Sequence, residues 1–167
     1  MLMPVSSCSE NTIALSSMAS STVPKISEEL LSYISLFGAL SRVELDGLLS
    51  FTAVRQCRSG ERLFEQDDLP SDIFILLKGR VDLVMDRGGI TRIYESYKCG
   101  DSFGESAVIG IQTQIGSAIA SGDNVELLVL SREALMSLHN SDSELYATLM
   151  MNIARELSRK LHVQAAS

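Results

Sequence analysis

Histidine and cysteine, the side chains most often recruited for acid–base, nucleophilic and metal chemistry, number two and three in this chain, and none stands at a productive spacing. Acid–base and nucleophilic catalysis need a second group within hydrogen-bond reach of the first. His139 and His162 have no serine, cysteine or carboxylate at an interval that argues for such a pair, so both read as exposed helix-end residues and the chain reads as no enzyme. Cys8, Cys57 and Cys99 lack metal-ligand spacing, and a sparse, odd count suits a reducing, cytoplasmic compartment better than a disulfide framework. Neither a metal nor a cofactor is expected. What remains is Phe103-Gly104-Glu105, which taken alone is an ordinary turn, followed by Ser117-Ala118. No Lys or Arg occurs between Lys98 and Arg132, so a site on that stretch has no local cation.

The elements that must position these residues follow from periodicity. Residues 1–24 hold seven Ser and two Thr but no Lys or Arg, which reads as a flexible tail and lacks the charged start of a signal peptide. The segment 25–167 reads as the folded domain. Ile26, Leu30, Ile34 and Phe37 recur at helical intervals, and Ser41 with Glu44 forms a Ser-x-x-Glu capping box for a second helix. Short strands are then predicted at Phe74 to Leu77, Val81 to Met85, Ile90 to Tyr97, Ser117 to Ala120 and Val125 to Leu130, with a hairpin turn at Asp86-Arg87-Gly88-Gly89. Such strands cannot bury an apolar face alone, so they imply a sandwich or barrel. Ser131 caps a short helix ending near His139-Asn140, and Asp142 begins a longer one. Along it Leu145, Leu149, Ile153, Leu157 and Leu161 recur every four residues, a stripe that either covers the barrel or pairs with a second copy or a partner protein.

A net charge of −7 opposes direct binding of nucleic acid, whose phosphates demand a basic surface. No apolar run approaches the roughly 20 residues of a membrane-spanning helix.

The order of Leu36-Phe37, Leu40-Ser41, Gly60-Glu61, Phe64, Asp68, Phe74-Ile75, Gly79, Gly100-Asp101, Phe103-Gly104-Glu105, Ser117-Ala118 and Ser131-Arg132-Glu133 resembles the cyclic-nucleotide-binding domain over about residues 25 to 163. That domain occurs in catabolite-activator-type regulators, cyclic-nucleotide-dependent kinases and gated channels. The resemblance implies a mainly β fold, an eight-stranded jelly-roll barrel with N-terminal helices and a long C-terminal helix. It implies a regulatory role in which the ligand, cyclic AMP or cyclic GMP, sits in a phosphate-binding cassette. By the same resemblance Gly104 lets the backbone approach the ligand, Glu105 accepts from the ribose 2′-hydroxyl, the amides of Ser106 and Ala107 face the phosphate, and Ser117, beside Ala118, offers a hydroxyl.

The family places an arginine directly before the Ser/Thr-Ala pair, because a guanidinium fork suits phosphate oxygens. Gly116 stands there instead. Gln112 and Gln114 as neutral donors, or Arg92 reaching in from a neighbouring strand, are the available substitutes. Binding is therefore expected to be weak or altered; the alternative is a degenerate domain that serves protein interaction or dimerisation through its C-terminal helix.

Overall fold

The computed structural model describes residues 26–166. The expected tail, with Cys8, lies outside them.

The N-terminal helical segment is not one helix. Helix α1 (Glu28–Tyr33) is capped by Ser27 and ends at Ile34, whose backbone is extended, before a 3₁₀ turn (Ser35–Phe37). Ile34, Leu36 and Phe37 are all buried. A continuing α-helix would set successive residues about 100° apart and turn Leu36 away from Ile34, so the break is what lets all three reach one core. Helix α2 (Arg42–Leu49) carries the capping box as read: Glu44 N donates to Ser41 Oγ at 3.3 Å and Ser41 N donates to Glu44 Oε2 at 2.7 Å.

Six antiparallel strands follow: β1 (Ala53–Cys57), β2 (Arg62–Phe64), β3 (Asp72–Arg87), β4 (Ile90–Tyr97), β5 (Ser102–Phe103) and β6 (Ser117–Ser131). The sheet order is β1-β6-β3-β4, with β2 on β6 and β5 on β3. The separate strands expected at 74–77 and 81–85 are one bent strand, β3, and those at 117–120 and 125–130 are one bent strand, β6. The β3–β6 register shifts between Leu76 and Arg80, where the ladder bends and continues. The β3–β4 hairpin closes through Gly88 and Gly89, both at positive φ, the geometry a two-residue turn needs to match strand twist.

Strand β3 explains the core. Ile73, Ile75 and Leu77 join a helical core, whereas Phe74 and Leu76 join the barrel interior. The run from Ile73 to Leu77 is apolar throughout because alternate residues face opposite sides and both sides are covered.

Helix α3 (Glu105–Gly110) lies between β5 and β6, and α4 (Arg132–Ser141) is capped by Ser131. Helix α5 (Ser143–Ala165) is capped by Asp142, whose Oδ1 accepts from Leu145 N at 2.9 Å. Leu145, Leu149 and Ile153 are buried, Leu157 is half-buried, and Leu161 is 67% exposed. A repeat of four advances about 40° beyond a full turn at each step, so by Leu161 the stripe has rotated roughly 160° away from Leu145. The face that stays inward instead carries Asn152 and Glu156, both buried, and Lys160.

Candidate functional site

The site is built at the end of β5. Phe103 stacks on Tyr97 with ring centroids 4.7 Å apart and on Phe74 at 5.2 Å. Offset aromatic pairs at such separations hold one another in place, so the strand end that precedes α3 is rigid. Gly104 then turns the chain at φ +85°, and a β-carbon there would lie 2.6 Å from the Asp72 carbonyl oxygen. The corner of the barrel alone therefore demands glycine at 104.

Glu105, the first residue of α3, has a side chain 2% exposed, and its Oε1 is bonded by Lys160 Nζ from α5. Lys160 also donates to Ser102 O at 2.6 Å and lies 5.5 Å from the centroid of the Tyr97 ring. Burying a carboxylate without a counter-charge is costly, so Lys160 is what makes the position of Glu105 tenable. The second carboxylate oxygen, Glu105 Oε2, and the buried Ser102 Oγ have no hydrogen-bond partner among the described residues. Burial, and then the Glu95 carboxylate that accepts from its hydroxyl at 3.0 Å, push the Tyr97 phenol far above its ordinary value. It stays a neutral donor.

Glu95, Tyr97, Glu105 and Lys160 border a cleft of about 170 Å³. Its floor includes Phe64, Leu83, Tyr97, Phe103 and Gln114; its roof is Leu157, Lys160, Leu161 and Gln164 of α5. Small-molecule sites usually enclose roughly 300–1,000 Å³. With α5 in this position the cleft is closed down.

The residues singled out in the sequence are only partly brought together. Gly104, Glu105, Ser106 and Gln114 line the cleft, and the amides of Ser106 and Ala107 lie in the first turn of α3, where no intrahelical acceptor exists. Ala118 is fully buried in the barrel interior. Ser117 faces the other way: its Oγ accepts from Gln66 N at 2.9 Å, and it lines a different groove with Asp86 and Thr91. At Gly116 a β-carbon would meet Val84 O at 2.6 Å and Met85 Cγ at 3.0 Å, so no side chain fits there unless β3 moves. Gln112 is exposed outside the cleft, and Arg92 lines an outer groove on the hairpin with Met85 and Ile90. His139 is exposed beside the Tyr146 ring, at 4.8 Å, and His162 is exposed near the end of α5.

Sequence reasoning missed Lys160, because it lies 55 residues from Glu105. The available signal was helical phase: positions 149, 153, 156 and 160 alternate by four and three, which keeps them on one face, and a charged residue on that face needs a buried partner.

The family profile of the cyclic nucleotide-binding domain matches residues 54–142, more than half of the chain, and the chain belongs to that family. It is 27% identical over 114 residues to the cAMP-dependent protein kinase type II regulatory subunit of Drosophila melanogaster, covering 68% of this chain and 30% of that protein. Among solved structures it is similar to the catabolite activator protein of Thermus thermophilus, with a TM-score of 0.70 and 29% identity over 79% of this chain and 60% of that one. The regulatory subunit of a cAMP-independent protein kinase A from Trypanosoma brucei shares the fold, with a TM-score of 0.66 and 16% identity over 83% of this chain and 48% of that one. The chain thus spans less than a third of its curated kinase relative. Fold and family are those of a cyclic-nucleotide-binding regulatory domain, mainly β with flanking helices. Among the described residues no helix is long and apolar enough to cross a membrane.

Proposed function

We propose that this chain is a cyclic-nucleotide-binding regulatory module whose pocket takes cyclic AMP or cyclic GMP weakly and through neutral donors. One observation carries the reading: among the described residues, the cleft that holds Glu105 offers no free cation to a phosphate. Gly116 has no space for a side chain, Gln114 supplies an uncharged amide, and Lys160 is engaged with Glu105. A buried charge pair that loses one partner forfeits about 2–5 kcal/mol, with each 1.4 kcal/mol worth about tenfold in affinity. The sequence relationship to a cAMP-dependent protein kinase regulatory subunit supports the ligand class.

The interaction reading, in which α5 pairs with another chain, has less to draw on. Leu145, Leu149 and Ile153 are already buried within this chain, which leaves Leu161 as the exposed end of the stripe.

Calorimetric titration with both nucleotides tests the proposal. The unaltered chain should bind with a dissociation constant well above about 1 μM, and Gln114→Arg, which projects a guanidinium from a position that already faces the cleft, should tighten binding by roughly one to two decades. Submicromolar binding by the unaltered chain, or no gain in the variant, would overturn it.

A further inference from the structure

The cleft does contain a cation, but the chain's own last helix supplies it. Lys160 places its ammonium on Glu105 Oε1 and on Ser102 O, against the face of Tyr97, and its side chain is only 22% exposed. We propose that Lys160 is an internal ligand of the cleft: it latches the last turns of α5 over the pocket by occupying the carboxylate, so that a nucleotide and residues 157–166 compete for the same place. The competition rests on the function proposed above; the latch stands on the contacts alone.

Three features of the cleft support it. The Lys160 ammonium meets two acceptors, Glu105 Oε1 and Ser102 O, and the Tyr97 ring, surroundings that suit a cation, so its position is specified from three sides. Leu157, Leu161 and Gln164, on the same turns of α5, line the cleft with it, so a ligand that takes the space these side chains fill must displace this segment. Glu105 Oε2 stays unpaired, so the lysine does not exhaust the hydrogen-bonding capacity of that carboxylate and a hydroxyl-bearing ligand has something to gain there. Upstream, α5 is tied elsewhere: Asn152 Nδ2 donates to Leu36 O and Gly38 O, and Glu156 Oε2 accepts from Ser35 Oγ at 2.6 Å. Opening at Lys160 can therefore free the end of the helix while its middle remains docked.

Hydrogen–deuterium exchange on the full chain reads the latch without any ligand. In Lys160→Gln the amides of residues 157–166 should exchange at least about tenfold faster, while those around Leu149 and Ile153 keep their protection. Unchanged exchange at 157–166 overturns the latch, whatever the nucleotide does. Titration with cyclic AMP and cyclic GMP reads the competition: Lys160→Gln should bind about tenfold tighter than the unaltered chain, within the roughly 5–150-fold range of coupled equilibria. Equal or weaker binding overturns the competition and would make Lys160 a bystander or a phosphate anchor. If neither protein binds nucleotide while exchange accelerates, the latch stands and the function proposed above fails. Because Lys160→Gln strands a buried carboxylate, the double variant Glu105→Gln with Lys160→Gln, which leaves neither charge in the cleft, is measured beside it; the same acceleration is expected there, and a protected helix end overturns the latch.

Discussion

At the scale of single residues, the site separates positions that the fold demands from positions that a ligand would use. Gly104 belongs to the first kind: with φ at +85° and the Asp72 carbonyl 2.6 Å from where a β-carbon would stand, Gly104→Ala should cost about 1–3 kcal/mol, read as a lower midpoint in chemical denaturation with no ligand present. Glu105 is of the second kind in the function proposed above; what the structure gives it is a buried ion pair with Lys160, 55 residues away in sequence. The motif around both was legible because its residues are contiguous. Lys160 was not, since a tertiary ion pair leaves no local spacing behind, and the apolar repeat every four residues drew attention to Leu161, which helical phase carries out into solvent. The lack of space at Gly116 was equally hidden: sequence shows which side chain is missing, whereas the Val84 carbonyl shows why the position cannot accept one.

Elements were easier to read than their joints. The strand segments and the capping box announced themselves through alternation and hydroxyl–carboxylate spacing, but the continuity of β3 and β6 across their bends did not, because a bent strand breaks periodicity just as a turn does. The break between α1 and the 3₁₀ turn was lost for the opposite reason, since Ile26, Leu30, Ile34 and Phe37 keep helical intervals through it. Within the sheet, Asp82 on β3 is buried and takes hydrogen bonds from Ser96 Oγ of β4 at 2.6 Å and from Arg80 Nη2 at 3.1 Å. Burial raises its carboxyl, but the hydrogen bonds from Ser96 and Ser121 and the Arg80 charge outweigh that and hold it below its ordinary value. A depressed folded value means that its contribution is present above the unfolded carboxylate range and is lost as pH falls through the folded value. Asp82→Asn should therefore cost about 1.5–3 kcal/mol at neutral pH, and the gap from the unaltered chain should shrink in acid, measured by denaturation at both pH values. The Arg80 partner is too exposed to add much to this.

For the molecule as a whole, the family order of motifs over most of the chain was legible, and with it the barrel and its flanking helices; how those helices are fastened was not. Asn152 fastens them, by donating from α5 to two carbonyls that the interruption after α1 leaves free. Asn152→Ala strands Leu36 O and Gly38 O, and a loss of about 1–3 kcal/mol is expected in thermal or chemical unfolding. The same change should loosen the N-terminal helices in hydrogen exchange without touching the aromatic floor of the cleft. Strand β3 adds a consequence of its own. Its even-numbered side chains, Phe74 and Leu76, pack into the barrel interior, and its odd-numbered ones, Ile73 and Ile75, pack into the helical half, so the two cores are divided by a partition one peptide thick. A volume change engineered into Phe74 has only that one strand to cross before it meets the side chains packed against the helices.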